Sequence, residues 1–149
     1  LIGITVCILM ITTVFVLAPD SAHSARFQPS AYNGNQQPLA KGITVEDIVV
    51  EADSGYLRYT LNNGGDEDLV CGEVTEIEVC HGKRWYLLTC CGEDRGADAA
   101  YITIAAGTRH TIYQLLTVEL TSGEYRLIKK LGPDGGGLDY LAVGAFSIP

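Results

Sequence analysis

The alternation of apolar and polar residues in the body of the chain is the feature that most restricts its fold. One segment places Leu57, Tyr59 and Leu61 on one face of an extended strand, and Arg58 and Thr60 alternate with them on the other face. No apolar helical repeat is sustained there, and turns rich in Gly, Asp and Asn recur between the extended segments. The pattern predicts an all-β domain.

The predicted strands are short and regularly spaced. They cover residues 43–52, 56–62, 69–80, 84–89, 101–104, 109–115, 126–131 and 138–148. About seven or eight strands in roughly 105 residues are typical of an immunoglobulin-like β-sandwich.

The N-terminal segment predicts export. Residues 1–18 carry no charged side chain, and their length lies between the ~7–15 residues of a signal-peptide core and the ~20 residues of a spanning helix. The small residues Ala22 and Ser24 fit a cleavage before Ala25. We therefore predict that residues 1–24 are a signal peptide, with a membrane anchor as the alternative. Both predict a secreted or cell-surface location.

Residues 25–42 contain Pro29, Pro38 and many amides without an apolar repeat. Because proline removes a ladder donor, we interpret them as a linker to a domain over residues 43–149.

Charge limits the classes of partner. The 149 residues include 10 Lys and Arg against 18 Asp and Glu, which gives a net charge of −8, and no segment gathers basic residues into a patch. A chain of this length builds one domain, and this charge does not favour nucleic acid as a partner. We expect an unidentified protein or cell-surface ligand, with membrane contact only through an uncleaved residues 1–24.

Catalytic patterns are weak, and we predict that the chain is not an enzyme and has no catalytic residue. The histidines His23, His81 and His110 are widely spaced. Cys80 and His81 are adjacent, which points their side chains apart on a strand, and no serine lies in a G-x-S-x-G motif.

No cofactor or metal is predicted either. The cysteines lack the C-x-x-C pairs of zinc sites. The acidic turns at residues 66–68 and at Asp134 and Asp139 do not follow the order of a calcium loop, so solvated turns are the favoured interpretation.

Disulfide formation is the simpler use of cysteine in an exported chain. If a hairpin places Cys80 opposite Lys83, Cys71 faces a residue near position 92. We therefore predict a bond from Cys71 to Cys90 or Cys91, with the connectivity open.

Three further residues are candidates for structural roles. Tyr125 follows Gly123 at the start of a late strand, which is typical of a tyrosine corner whose hydroxyl bonds to nearby backbone. Trp85 is expected to be buried between the sheets, with a ligand platform as the alternative.

Six short segments of the domain form a recognisable series: LRYTLNN (57–63), DLVCGE (68–73), HGKRWY (81–86), IAAGT (104–108), LTSGEYRLIK (120–129) and AFSI (145–148). In this order they resemble a bacterial immunoglobulin-like domain family found in exported proteins of Gram-positive bacteria. The resemblance covers about residues 43–148 and departs from the family at Ser122, where proline is usual, and in the four cysteines of the domain. It implies a non-catalytic module without a defined ligand.

These observations favour an exported binding or surface structural module. Two alternatives remain open. A secreted proteinase inhibitor would use the loops at 62–68, 90–98 and 132–137, and a membrane-anchored or fibre-forming subunit would use the N-terminal segment or an edge strand.

Overall fold

The computed structural model describes residues 27–34, 38–88 and 101–149, and within them every regular element is a strand. The ten strands are β1 (Phe27–Pro29), β2 (Ile43–Glu51), β3 (Tyr56–Asn63), β4 (Leu69–Cys71), β5 (Glu76–His81), β6 (Arg84–Leu88), β7 (Ile102–Ile104), β8 (Arg109–Leu115), β9 (Gly123–Pro133) and β10 (Tyr140–Ile148). No helix in these ranges is long and apolar enough to cross a membrane.

The strands form two sheets. The seven-stranded sheet, here sheet A, has the order β1-β6-β5-β9-β4-β7, and β10 pairs with the other edge of β9. The three-stranded sheet, here sheet B, has the order β2-β3-β8. The prediction of an all-β immunoglobulin-like sandwich is confirmed.

The core lies between the sheets and follows the alternation seen in the sequence. Leu57 and Leu61 of β3 are fully buried, and they share a cluster with Tyr125, Leu127 and Leu131 of β9. Burial of such side chains contributes about 1.5–3 kcal/mol each. The inward residues predicted for the second strand are therefore those that hold the sandwich together.

A buried polar chain links the two sheets through this core. The hydroxyls of Tyr59 and Thr75 lie 2.6 Å apart, and the Lys129 ammonium donates to Thr75 Oγ1 at 3.3 Å and to the Glu73 carbonyl at 2.9 Å. Lys129 and Thr75 are fully buried. Buried polar groups are costly without partners, so this series of hydrogen bonds fixes the β4–β5 connection against β3 and β9.

Sheet B closes against sheet A along β2 and β10. Gly144 of β10 faces Val45 and Ile48, and a Cβ on this glycine would lie 2.6 Å from Val45 Cγ1 and 2.8 Å from Ile48 Cδ1. The close approach of these two strands therefore requires glycine at position 144.

One of the two strands beyond the eight predicted arises because the segment 69–80 forms two strands, β4 and β5. Residues 72–75 leave the sheet, so that β4 pairs with the end of β9 and β5 pairs with its middle.

Part of the segment interpreted as a linker is also ordered. β1 pairs with β6, and Leu39 forms a parallel bridge with Leu141 of β10. Proline is compatible with β1 because the strand lies at the edge of the sheet and is only three residues long. The predicted signal peptide or anchor, residues 1–24, lies outside the described residues.

The hairpin register on which the disulfide argument rested is wrong. Cys80 pairs with Trp85, and Cys71 lies on β4, where it pairs with Ile102 and Leu131. The register differs because Gly82 and Lys83 form the turn, with His81 opposite Arg84, and the break at residues 72–75 removes Cys71 from the hairpin. Cys71 is fully buried, and burial raises the pKa of its thiol. Cys90 and Cys91 lie outside the described residues, so their bond to Cys71 stays a prediction.

Candidate binding surface

The outer face of sheet B carries an exposed apolar patch. Val49, Arg58 and Tyr113 lie side by side across the three strands, and Glu51, Tyr56 and Leu115 form the next row. We name this set of six residues the sheet B patch. Its four apolar members keep large exposed fractions: 38% for Val49, 36% for Tyr56, 61% for Tyr113 and 50% for Leu115. Large apolar side chains gathered on one face are typical of interaction sites.

The charges within the patch compensate each other. Arg58 Nε lies 3.1 Å from Glu51 Oε1, in the middle of the apolar side chains. A ligand that covers the patch therefore meets a paired charge and not an isolated one, which lowers the cost of desolvation.

Next to the patch, the outer face is polar and internally bonded. Arg109 Nη2 contacts Glu46 at 2.8 Å and Asp47 at 2.9 Å, beside the β-bulge where Asp47 has a φ of 52°. Hydrogen bonds from Asn62 and Thr44 lower the pKa of Glu46. These groups bond to one another, so the polar half of the face stabilises the bulge of β2.

The outer face of sheet A is covered by the chain itself. We name the described residues 27–34 and 38–40 the strap, because they bond to the sheet at β6 and again at β10. The Tyr32 hydroxyl lies against the ion pair between Lys130 and Glu76, whose charged atoms are 3.0 Å apart. On the same face, Glu78 and Ile128 are buried although they face away from the core.

The strap also closes the β6 edge. The side-chain amide of Asn33 bonds to the backbone of Trp85 as a neighbouring strand would. Its nitrogen donates to the Trp85 carbonyl at 2.7 Å, and its oxygen accepts from the Trp85 amide at 3.0 Å. The Ser30 amide donates to the same carbonyl. A backbone edge that is already bonded in this way cannot accept a further strand.

The comparison with known families decides where the fold belongs. The sequence pattern of the bacterial Ig-like domain matches residues 37–143. The chain belongs to the bacterial Ig-like domain family. No curated protein matches the chain. Bacterial Ig-like domains are generally non-catalytic and often occur on exported or surface proteins. The family therefore suggests the general role of a surface or structural module.

The tyrosine-corner candidate of this Ig-like domain makes a backbone contact. The Tyr125 hydroxyl donates to the Thr121 carbonyl at 2.7 Å, and its ring stacks on Phe146 with centroids 5.4 Å apart. Gly123 lies against the Tyr125 ring, and a Cβ there would be 3.5 Å from the nearest ring carbon. The contact attaches residues 116–122, which connect the two sheets, to β9.

Trp85 differs from the expectation that it lies between the sheets of the Ig-like domain. Tyr86 and Leu88 take the inward positions of β6, so Trp85 faces outward and is half-buried. The Arg126 guanidinium lies 4.4 Å from its ring centroid and also contacts Glu78 at 2.6 Å. One face of the ring therefore packs against a cation, and the ligand platform stays a prediction.

The loops considered for proteinase inhibition are only partly described. The loop at 64–68 is held by buried Asn63, whose amide donates to the carbonyls of Glu67 and Ile104. The segment 132–137 begins inside β9, and the whole of 90–98 lies outside the described residues. In the described ranges, no group of three or more His, Cys, Asp and Glu side chains is arranged to hold a metal ion.

Sequence reasoning missed the sheet B patch of this Ig-like domain. A signal was present in β8, where Ile112 and Tyr113 place large apolar side chains on opposite faces of one strand. A strand with one solvated face usually carries polar residues there, so the apolar excess is a signal typical of contact surfaces.

Proposed function

We propose that this Ig-like domain is an exported, non-catalytic module of the bacterial cell surface that acts by binding through the outer face of sheet B. The family supports a surface or structural module, and the uncharged residues 1–18 support export. The expected partner is a protein or another cell-surface ligand.

The sheet B patch is the observation that supports this proposal most strongly. Its apolar side chains are exposed while its charged pair is already satisfied, so a partner gains apolar burial at about 25 cal/mol per Å² without isolating a charge. On the corresponding face of sheet A the strap lies over the ion pair of Lys130 and Glu76, and Val143 is exposed beside it.

A matched pair of valines allows a clean test of the binding face. Val49 in the patch is 38% exposed and Val143 on the outer face of sheet A is 39% exposed. Soluble exported protein is added to intact cells that produce the chain, and the bound fraction is measured. Val49→Lys and Tyr56→Lys are expected to reduce binding about tenfold or more, whereas Val143→Lys binds as the parent chain does. Equal binding by all four proteins would overturn the proposal for this face.

Export is tested on the same cells. A biotin reagent that does not cross membranes is expected to label the chain on intact cells or in the medium. Labelling only after lysis would contradict export. The N-terminal residue of the labelled chain distinguishes a signal peptide cleaved before Ala25 from a retained anchor.

A further inference from the structure

We infer that the free edge of β8 pairs with β8 of a second copy, so that two sheets B join into one antiparallel six-stranded sheet. This goes beyond the proposed function, because the edge of the sheet and its outer face can be altered separately. Joining the edges would place two sheet B patches on one continuous surface.

Alternate residues of β8 direct their backbone amides and carbonyls to opposite sides of the strand. The Asn63 amide donates to the Thr108 carbonyl and the Leu116 amide donates to the Gly55 carbonyl, and both pairs have the register of β3 with β8. Bonded pairs alternate along an antiparallel ladder, so even-numbered residues of β8 bond to β3. The amides and carbonyls of Thr111 and Tyr113 therefore point away from the sheet.

No strand in the described ranges pairs with this side of β8. One group is engaged locally, since the Gln114 side chain donates to the Leu115 carbonyl at 3.3 Å. The donors and acceptors of Thr111 and Tyr113 remain available for a second strand, which is the mode of binding called β-augmentation.

The other sheet edges carry features that prevent pairing. β1 has three residues and ends in proline, β10 bears the bridge to Leu39, β2 contains the bulge at Asp47, and β7 has only three residues. β8 has seven residues, and it contains neither proline, lysine, glycine nor a register shift. Monomeric proteins normally protect such an edge, and β8 is unprotected.

The pattern of β8 fits a second copy of itself. An antiparallel pair centred on Ile112 places Thr111 opposite Tyr113 of the partner subunit and sets the two Arg109 residues at opposite ends. β8 contains no acidic residue, and Arg109 is neutralised by Glu46 and Asp47. Like charges therefore do not face each other along the contact, although each chain has a net charge of −8.

Proline at position 111 tests the edge directly. Thr111→Pro removes an outward amide that bonds to nothing within its own sheet, so the fold is expected to tolerate it. Sedimentation velocity over a range of concentrations is expected to show a monomer–dimer equilibrium for the parent chain. Thr111→Pro is expected to weaken the dimer at least tenfold, and Tyr113→Lys gives a second variant that keeps the β8 backbone intact. Circular dichroism and unfolding curves identify a variant that fails to fold.

The face variant separates this inference from the proposed function. Val49 lies on β2, away from the β8 edge, so Val49→Lys is expected to dimerise normally while losing the cell contact. A parent chain that stays monomeric at all concentrations would overturn β8 pairing and leave the binding face standing. A dimer that resists both Thr111→Pro and Tyr113→Lys would also overturn it.

Discussion

The outer faces of the two sheets are built from the same kind of alternating strands, yet the chain treats them differently. On sheet A the described parts of the strap bond to β6 at one side and to β10 at the other, and Glu78 on that face is buried. On sheet B the face is left open, with Tyr113 and Leu115 half or more exposed. The strand pattern alone would not distinguish the two faces, because the difference arises from a segment outside the sandwich strands.

The strap on sheet A is what distinguishes the two outer faces. Sheet A uses its outer face for internal ion pairs, so substitutions there should act on stability. Sheet B carries its outer polar groups in satisfied pairs and keeps apolar area accessible, so substitutions there should act on association.

The largest expected effect breaks the contact that holds the two sheets together. Gly144→Ala places a Cβ within 3 Å of Val45 and Ile48, and overpacking of this kind costs about 1–3 kcal/mol. Denaturant unfolding measures it. Gly72→Ala is the matched control, because the nearest atom to its new Cβ is Leu138 Cδ1 at 3.5 Å. Equal stability of the two variants would show that β2 and β10 do not approach as described.

A second prediction removes the polar link between the sheets. Thr75→Val leaves the Tyr59 hydroxyl and the Lys129 ammonium without their shared partner in the core, at a cost of about 1–3 kcal/mol. Thr103→Val, at an exposed position of β7, is expected to change the unfolding midpoint little. An unchanged midpoint for Thr75→Val would contradict the role of the link.

A third prediction concerns the connection between the sheets at residues 116–122. Tyr125→Phe removes the hydroxyl bonded to the Thr121 carbonyl and should destabilise the domain by about 1 kcal/mol, since water can reach the exposed Thr121. Tyr140→Phe, on a 40% exposed ring, is the control. Binding by the folded fraction should not change. Lost binding with an unchanged midpoint would assign the hydroxyl to recognition.

The smallest effects distinguish the two faces by pH. Where the strap meets sheet A, burial raises the pKa of Tyr32, and the hydrogen bond to Glu76 raises the pKa of Lys130. Folding therefore binds these protons more tightly, so the stabilisation is complete below about pH 10 and is lost as pH rises through the raised values. On sheet B, the lowered pKa of Glu46 gives stabilisation that is complete above its ordinary value of 4.5 and is lost as pH falls.

Two variants separate these limbs of the stability profile. Tyr32→Phe is expected to flatten the alkaline limb and leave the acid limb unchanged, whereas Glu46→Gln is expected to do the reverse. Unfolding midpoints between pH 3 and pH 11 provide the measurement. A profile in which both variants flatten the same limb would contradict the separation of the two faces.

The sequence predicted the inward side of the fold better than its outward side. Leu57, Tyr59 and Leu61 were identified because burial requires an alternating pattern on one strand. The strap was not, because its contacts are tertiary: the hydrogen bonds between Asn33 and Trp85 join residues 52 positions apart. The pairing of Cys71 was not predicted because the break at residues 72–75 separates β4 from β5. The orientation of Trp85 was not predicted because burial was inferred from the size of its ring, whereas its pairing with Cys80 places it on the outer face of sheet A.

Amide hydrogen exchange in dilute protein, where association is absent, tests most directly that sheet A is closed and sheet B is open. The Trp85 and Leu141 amides lie at sheet A edges and are bonded to Asn33 and Pro38, so they are expected to exchange slowly. The Thr111 and Tyr113 amides are expected to exchange at least tenfold faster than that of Ile112 between them. Comparable exchange at the edges of both sheets would contradict the account.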